Sequence, residues 1–82
     1  MGQEEIFEKV KEVIATKKGV PSNGITMENS FEELDMDSLD SVELISELEE
    51  IYDVSIPNQQ LLQIKTIGEA VVSLEKLLNG QS

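Results

Sequence analysis

The residues best placed for chemistry lie in one run, Leu34-Asp35-Met36-Asp37-Ser38-Leu39-Asp40-Ser41-Val42-Glu43-Leu44, which sets a hydroxyl between carboxylates at the head of an apolar-periodic segment. Three chemistries suit such a run. The first is calcium binding, and it fails on spacing: an EF-hand loop counted from Asp35 would put Asp40 at the required glycine and Ser46 at the bidentate glutamate. The second is carboxylate acid-base catalysis, which needs one carboxyl isolated in apolar surroundings so that its pKa is tuned, and no carboxylate here stands in such a setting. The third uses the hydroxyl of Ser38. A Ser near a helix start is most often a plain capping residue. Here Asp37 is already a good N-cap, so Ser38 falls at the first helical position. A phosphate attached there would meet the free amides and the positive end of the helix dipole.

The rest of the composition narrows the field. The chain has no histidine and no cysteine, which removes imidazole bases, thiol nucleophiles, disulfides and thiolate metal sites. Its 82 residues make one domain with a modest core. Six Lys and no Arg oppose seventeen acids, for a net charge of −11, so no cationic surface exists for a nucleic acid backbone. Between Gly19 and Ile64 there are eleven acids and no Lys, while the six acids of the flanks are matched by six Lys, so the whole net charge belongs to the middle. No apolar stretch exceeds three residues, against the roughly 20 needed to cross a bilayer. The acidic opening Met1-Gly2-Gln3-Glu4-Glu5 is unlike the basic start of a signal peptide. These features predict a soluble, cytoplasmic, monomeric protein that neither binds nucleic acid nor inserts into membranes.

Three helices must position the run. Ile6, Val10, Val13 and Ile14 keep helical spacing between Gln3 and Lys17, with Glu4 and Glu5 opening the segment, Lys17 and Lys18 closing it and Gly19 stopping it. From Val20 to Met36 the period fails, and only Ile25, Met27, Phe31 and Leu34 can tie this long connection to the helices. Asp37 to Tyr52 reads as the second helix, with Leu39, Val42, Ile45 and Leu48 stepping by three and Leu44, Ile51 and Tyr52 widening the stripe. Val54-Ser55-Ile56-Pro57 is extended, and Asn58 to Gln63 suffices for one or two short turns. Thr66-Ile67-Gly68-Glu69 matches a capping box, after which Ile67, Ala70, Val71, Leu74, Leu77 and Leu78 share a face. The expected fold is all-α: a small bundle of three main helices and one short one, a single domain over residues 1–82 with a frayed tail at 79–82.

The motif extends well beyond three residues. It runs from Phe31 and Leu34 through Asp37-Ser38-Leu39-Asp40, Val42-Glu43-Leu44, Leu48-Glu49-Glu50 and Asp53 to Ile56-Pro57, and in this it closely resembles the acyl carrier protein family. The resemblance implies that Ser38, flanked by Asp37 and Leu39, carries a 4′-phosphopantetheine arm taken from coenzyme A by a phosphopantetheinyl transferase. The terminal thiol of that arm bears acyl groups as thioesters, so a protein without Cys can act as a thioester carrier. It implies no catalytic activity and no metal. The partners would be acyl-transferring and chain-elongating enzymes with basic patches, meeting Asp37, Asp40, Glu43, Glu47, Glu49, Glu50 and Asp53. Long-range attraction would speed each encounter, and modest contact would let each partner leave. An acyl-chain cleft is implied at Val42, Ile45, Leu48, Ile56, Leu61 and Ile64, positions that also suit ordinary core.

The chain departs from the family pattern in three places. Asp35 replaces a usual Gly, Ser46 and Glu47 replace an apolar and a small residue, and Asn58-Gln59-Gln60 are neutral where acids are common. The pathway, fatty acid, polyketide or related, therefore stays open. A competing reading is an unmodified acidic helical adaptor that binds a basic protein.

Overall fold

The computed structural model describes residues 2–80. Helix α1 spans Gln3–Lys18, α2 Ser38–Tyr52, α3 Asn58–Leu61 and α4 Ile67–Leu78, with a 3₁₀ turn at Ser22–Gly24. This is the expected all-α bundle of three long helices and one short one. Gln81 and Ser82, half of the expected frayed tail, lie outside the described residues; Asn79 and Gly80 close a turn in which Asn79 N–H donates to Glu75 O at 3.0 Å.

Local signals explain the element boundaries. Glu4 and Glu5 lie in the first turn of α1 and Lys17 and Lys18 in its last, each complementing the dipole. Gly19 ends the helix at φ 68°, its N–H donating to Ala15 O. Asp37 caps α2 by accepting from the Asp40 amide. Thr66 and Glu69 form the capping box of α4. One face of each long helix is fully buried: Ile6, Val10 and Ile14 on α1, Leu44, Ile45 and Leu48 on α2, and Ile67, Ala70, Val71 and Leu74 on α4. Ile25, Phe31, Met36 and Ile56 complete the core from the connecting segments.

On α2 the apolar stripe read from the sequence is wider than the face that is buried. Leu39 is 66% exposed, Val42 47% and Ile51 48%, so these three stand outside the core. Leu39 and Val42 lie within four residues of Ser38 and give the head of α2 an apolar surface.

The long connection is held more firmly than its composition suggests. Phe31 N–H donates to Lys65 O at 3.0 Å, Ile67 N–H to Asn29 O at 3.0 Å and Gly68 N–H to Met27 O at 2.8 Å, tying the loop to the entry of α4. At Gly68 a Cβ would lie 3.0 Å from Met27 O, so this close approach favours glycine. Periodicity carries no information about such long-range backbone pairing.

The capping box also gives the fold a pH-dependent element. Glu69 Oε1 accepts from the Lys65 amide at 2.8 Å and from the Thr66 amide at 3.0 Å. The Lys65 amide is the main cause that holds the Glu69 carboxyl below the usual carboxylate range; burial opposes it, and the Thr66 amide and hydroxyl and the Lys65 charge add to the lowering. A depressed native pKa stabilises the fold above the ordinary carboxylate range, and the contribution disappears as pH falls through the lowered native value. Glu69→Gln is therefore expected to be less stable than wild type at neutral pH by no more than about 1 kcal/mol, the size of one exposed cap. Urea titrations at a series of pH values should show this gap closing on acidification; a gap independent of pH would contradict it.

Candidate functional site

Two anchored turns bring the chain to Ser38. The first is a reciprocal pair around Phe31: Ser30 Oγ accepts from the Glu33 amide at 3.1 Å, and Glu33 Oε1 accepts from the Ser30 amide at 2.8 Å. The second closes with Asp35 N–H on Glu32 O at 3.0 Å and Met36 N–H on Phe31 O at 2.9 Å. Phe31 and Met36 are both buried, so the backbone two residues before Ser38 is fixed in the core.

Between these anchors Asp35 adopts φ 60°, a left-handed conformation. Short polar side chains tolerate it better than most, but only glycine is free of the Cβ penalty. Asp35→Gly is expected to raise stability by up to about 1 kcal/mol, and Asp35→Val to lower it by about 1–2 kcal/mol. Urea midpoints of the two variants moving the same way would contradict the assignment of strain.

Asp37 Oδ1 accepts from the Asp40 amide at 2.9 Å, and the Ser41 hydroxyl donates to Asp37 O at 3.0 Å. Asp37 thus serves the cap and Ser41 is tied down. Ser38 is different: it is the first residue of α2, it is exposed, and its hydroxyl takes part in no hydrogen bond among the described residues. Its backbone N–H lies in the first turn of a 15-residue helix, where amides have no intrahelical acceptor. The arrangement suits a covalently held anion: a free nucleophilic oxygen, unpaired amides beside it and no competing local bond.

A groove of about 600 Å³ opens next to this hydroxyl, lined by Phe31, Met36, Val42, Ile45, Leu61, Leu62 and Ile64, with Ser38 and Ser41 at the α2 wall. Four of the six residues expected at a cleft, Val42, Ile45, Leu61 and Ile64, meet here. Leu48 and Ile56 do not: Leu48 is fully buried and Ile56 5% exposed, both packed in the core away from the groove. Phe31, Met36 and Leu62 line it without having been read as lining residues. Phe31 reads as a loop anchor in sequence and Met36 only as the end of the loop; the turn at residues 31–36 sets both beside the groove. Leu62 is 80% exposed, an apolar side chain at the open edge.

The acidic face of α2 is less uniform than its composition suggests. Lys18 Nζ lies 3.5 Å from Asp40 Oδ2, and Lys17 Nζ lies 3.8 Å from Glu43 Oε1 and 3.7 Å from Glu47 Oε1. Glu49 is half-buried and its carboxylate accepts the Ile56 amide, so it holds the segment after α2 rather than standing free with the other acids. Glu50 and Asp53 are exposed, and no ion pair engages them among the described residues. Asp53 also terminates α2 at φ 55°. The phenol of Tyr52, near that end, is raised above its ordinary value by burial and then by Glu5.

The chain is similar to known proteins in sequence and in fold. A family model described as a phosphopantetheine attachment site matches residues 8–71. The acyl carrier protein of Rubrobacter xylanophilus is 47% identical over 72 residues, covering 87% of this chain and 89% of the relative. That of Clostridium acetobutylicum is 43% identical over 67 residues, covering 80% and 87%. Among solved structures, acyl carrier protein from Enterococcus faecalis superposes with a TM-score of 0.74 at 25% identity, over 96% of this chain and 98% of that one.

Proposed function

The chain belongs to the acyl carrier protein family, whose members carry 4′-phosphopantetheine, and from that premise we propose that Ser38 is the residue that holds the arm. The observation that carries this reading is the free, exposed hydroxyl of Ser38 at the first position of α2, in a chain whose other hydroxyl on that turn, Ser41, is bonded to Asp37 O. Ser38 Oγ, giving up its proton, would attack the pantetheine-side phosphorus of coenzyme A's pyrophosphate; the new O–P bond forms as the phosphoanhydride bond breaks and adenosine 3′,5′-bisphosphate leaves. The amides of Ser38 and Leu39, which the Asp37 cap leaves without an acceptor, would face the resulting phosphodiester charge. When bound, the arm supplies the thiol on which acyl groups are carried.

The remaining residues support transport without catalysis. Phe31, Met36, Val42, Ile45, Leu61 and Ile64 offer an apolar groove beside the attachment point in which part of an acyl chain can be kept from water. Leu39 and Val42 are exposed next to Ser38 and suit a short apolar contact with an enzyme. The acids of α2 would draw in basic enzymes, among them the transferase and then acyl-transferring and chain-elongating partners. We take the working form to be a cytoplasmic monomer; no helix of the described residues is long and apolar enough to cross a membrane.

The test is intact mass after incubation with coenzyme A, magnesium and a broad-specificity phosphopantetheinyl transferase. The full chain should gain the mass of one arm, and fragmentation should place it on Ser38. An unmodified chain, or an arm located elsewhere, would overturn the assignment.

A further inference from the structure

The last turn of α1 bears directly on the docking face. Lys17 and Lys18 have side chains only 22% exposed, laid across α2, where the carboxylates they meet are 53%, 52% and 30% exposed for Glu43, Glu47 and Asp40. Their position is set by the fold: Ile14, one turn earlier, is fully buried, and Gly19 caps the helix immediately after them. The three carboxylates are thus paired with two cations of the same chain. By contrast, Glu50 and Asp53 at the far end of α2, and Glu32 and Asp35 in the turn before Ser38, are exposed and take part in no ion pair among the described residues. The acidic surface is divided into two open ends and a shielded middle.

We propose that Lys17 and Lys18 act as an intramolecular shield over Asp40, Glu43 and Glu47, which the basic surface of a phosphopantetheinyl transferase must displace to dock along the whole of α2. The inference rests on the proposed docking of basic enzymes to this helix. Half-exposed ion pairs are weak, worth about 0.2–1 kcal/mol each, so the shield can open at each encounter. It lowers the local potential that steers approach, and it selects for partners whose own cations replace both lysines at once. A partner touching only the open ends would not sense it.

The experiment measures association rates of the full chain with a phosphopantetheinyl transferase across a salt series. Lys17→Gln/Lys18→Gln is expected to associate about 3–10-fold faster than wild type at low ionic strength, with the difference fading as screening rises. Lys11→Gln/Lys76→Gln removes the same charge away from α2 and should change the rate by less than about 2-fold. In a Glu43→Gln/Glu47→Gln background, Lys17→Gln should change the rate by no more than that general charge effect, less than about 2-fold. This last comparison separates release of those two carboxylates from a general change in charge or stability. Equal acceleration by the two double variants, or an undiminished Lys17→Gln effect without Glu43 and Glu47, would overturn the shield. Wild-type association insensitive to salt would instead overturn the docking reading on which it stands.

Discussion

Ser38→Ala is expected to abolish attachment of the arm completely while leaving stability within about 0.5 kcal/mol of wild type. The two halves of this expectation have separate causes. The substitution removes the one hydroxyl at the head of α2 that, among the described residues, is not already bonded within the protein. It also removes nothing that supports the helix: the cap is the Asp37 carboxylate on the Asp40 amide, and Ser38 is exposed with no side-chain partner among the described residues. Alanine is at least as good a helix former as serine. Intact mass should show no gain after the transferase reaction, and the urea midpoint should be unchanged. Ser41→Ala is the matched control. It loses a bond to Asp37 O but keeps Ser38, so it should still take up one arm. A gain of mass on Ser38→Ala at the wild-type rate would move the attachment point to another hydroxyl.

The site was legible where the information is local. The Asp37 cap, the place of Ser38 at the first helical position and the Thr66–Glu69 capping box each depend on residues within three positions of one another, and each is present as expected. What was not legible depends on contacts between distant segments. Glu49 is indistinguishable from Glu50 in a one-dimensional charge pattern, yet its carboxylate is used by the Ile56 amide seven residues on. Lys17 and Lys18 read as dipole partners at the end of α1, and their pairing with α2 depends on how the two helices are set side by side. Helical periodicity also equates Leu39 and Val42 with Leu48. All step by three along α2, but only the residues turned into the shared core are covered.

Leu48 is where that ambiguity has its largest consequence. As a groove residue it would tolerate truncation, because a groove already open to solvent simply becomes wider. As a fully buried residue on α2, packed with Ile45 and Leu44 into the shared core, it cannot lose its side chain without leaving a cavity. Leu48→Ala is then expected to cost about 2–5 kcal/mol. A domain of 82 residues has a total stability of only about 4–12 kcal/mol. The substitution should therefore remove a large share of the total, and at the low end of that range it unfolds the protein, with attachment at Ser38 failing because α2 loses its seat. Leu62→Ala supplies the contrast. That side chain is 80% exposed at the rim of the groove, so its truncation should stay within about 0.5 kcal/mol of wild type and leave loading intact, with any effect confined to how an acyl chain is held. Urea unfolding of the two variants side by side decides the matter: comparable midpoints would place Leu48 at an adaptable wall of the groove, and a large loss for Leu48→Ala alone would keep it in the core that holds the attachment site in position.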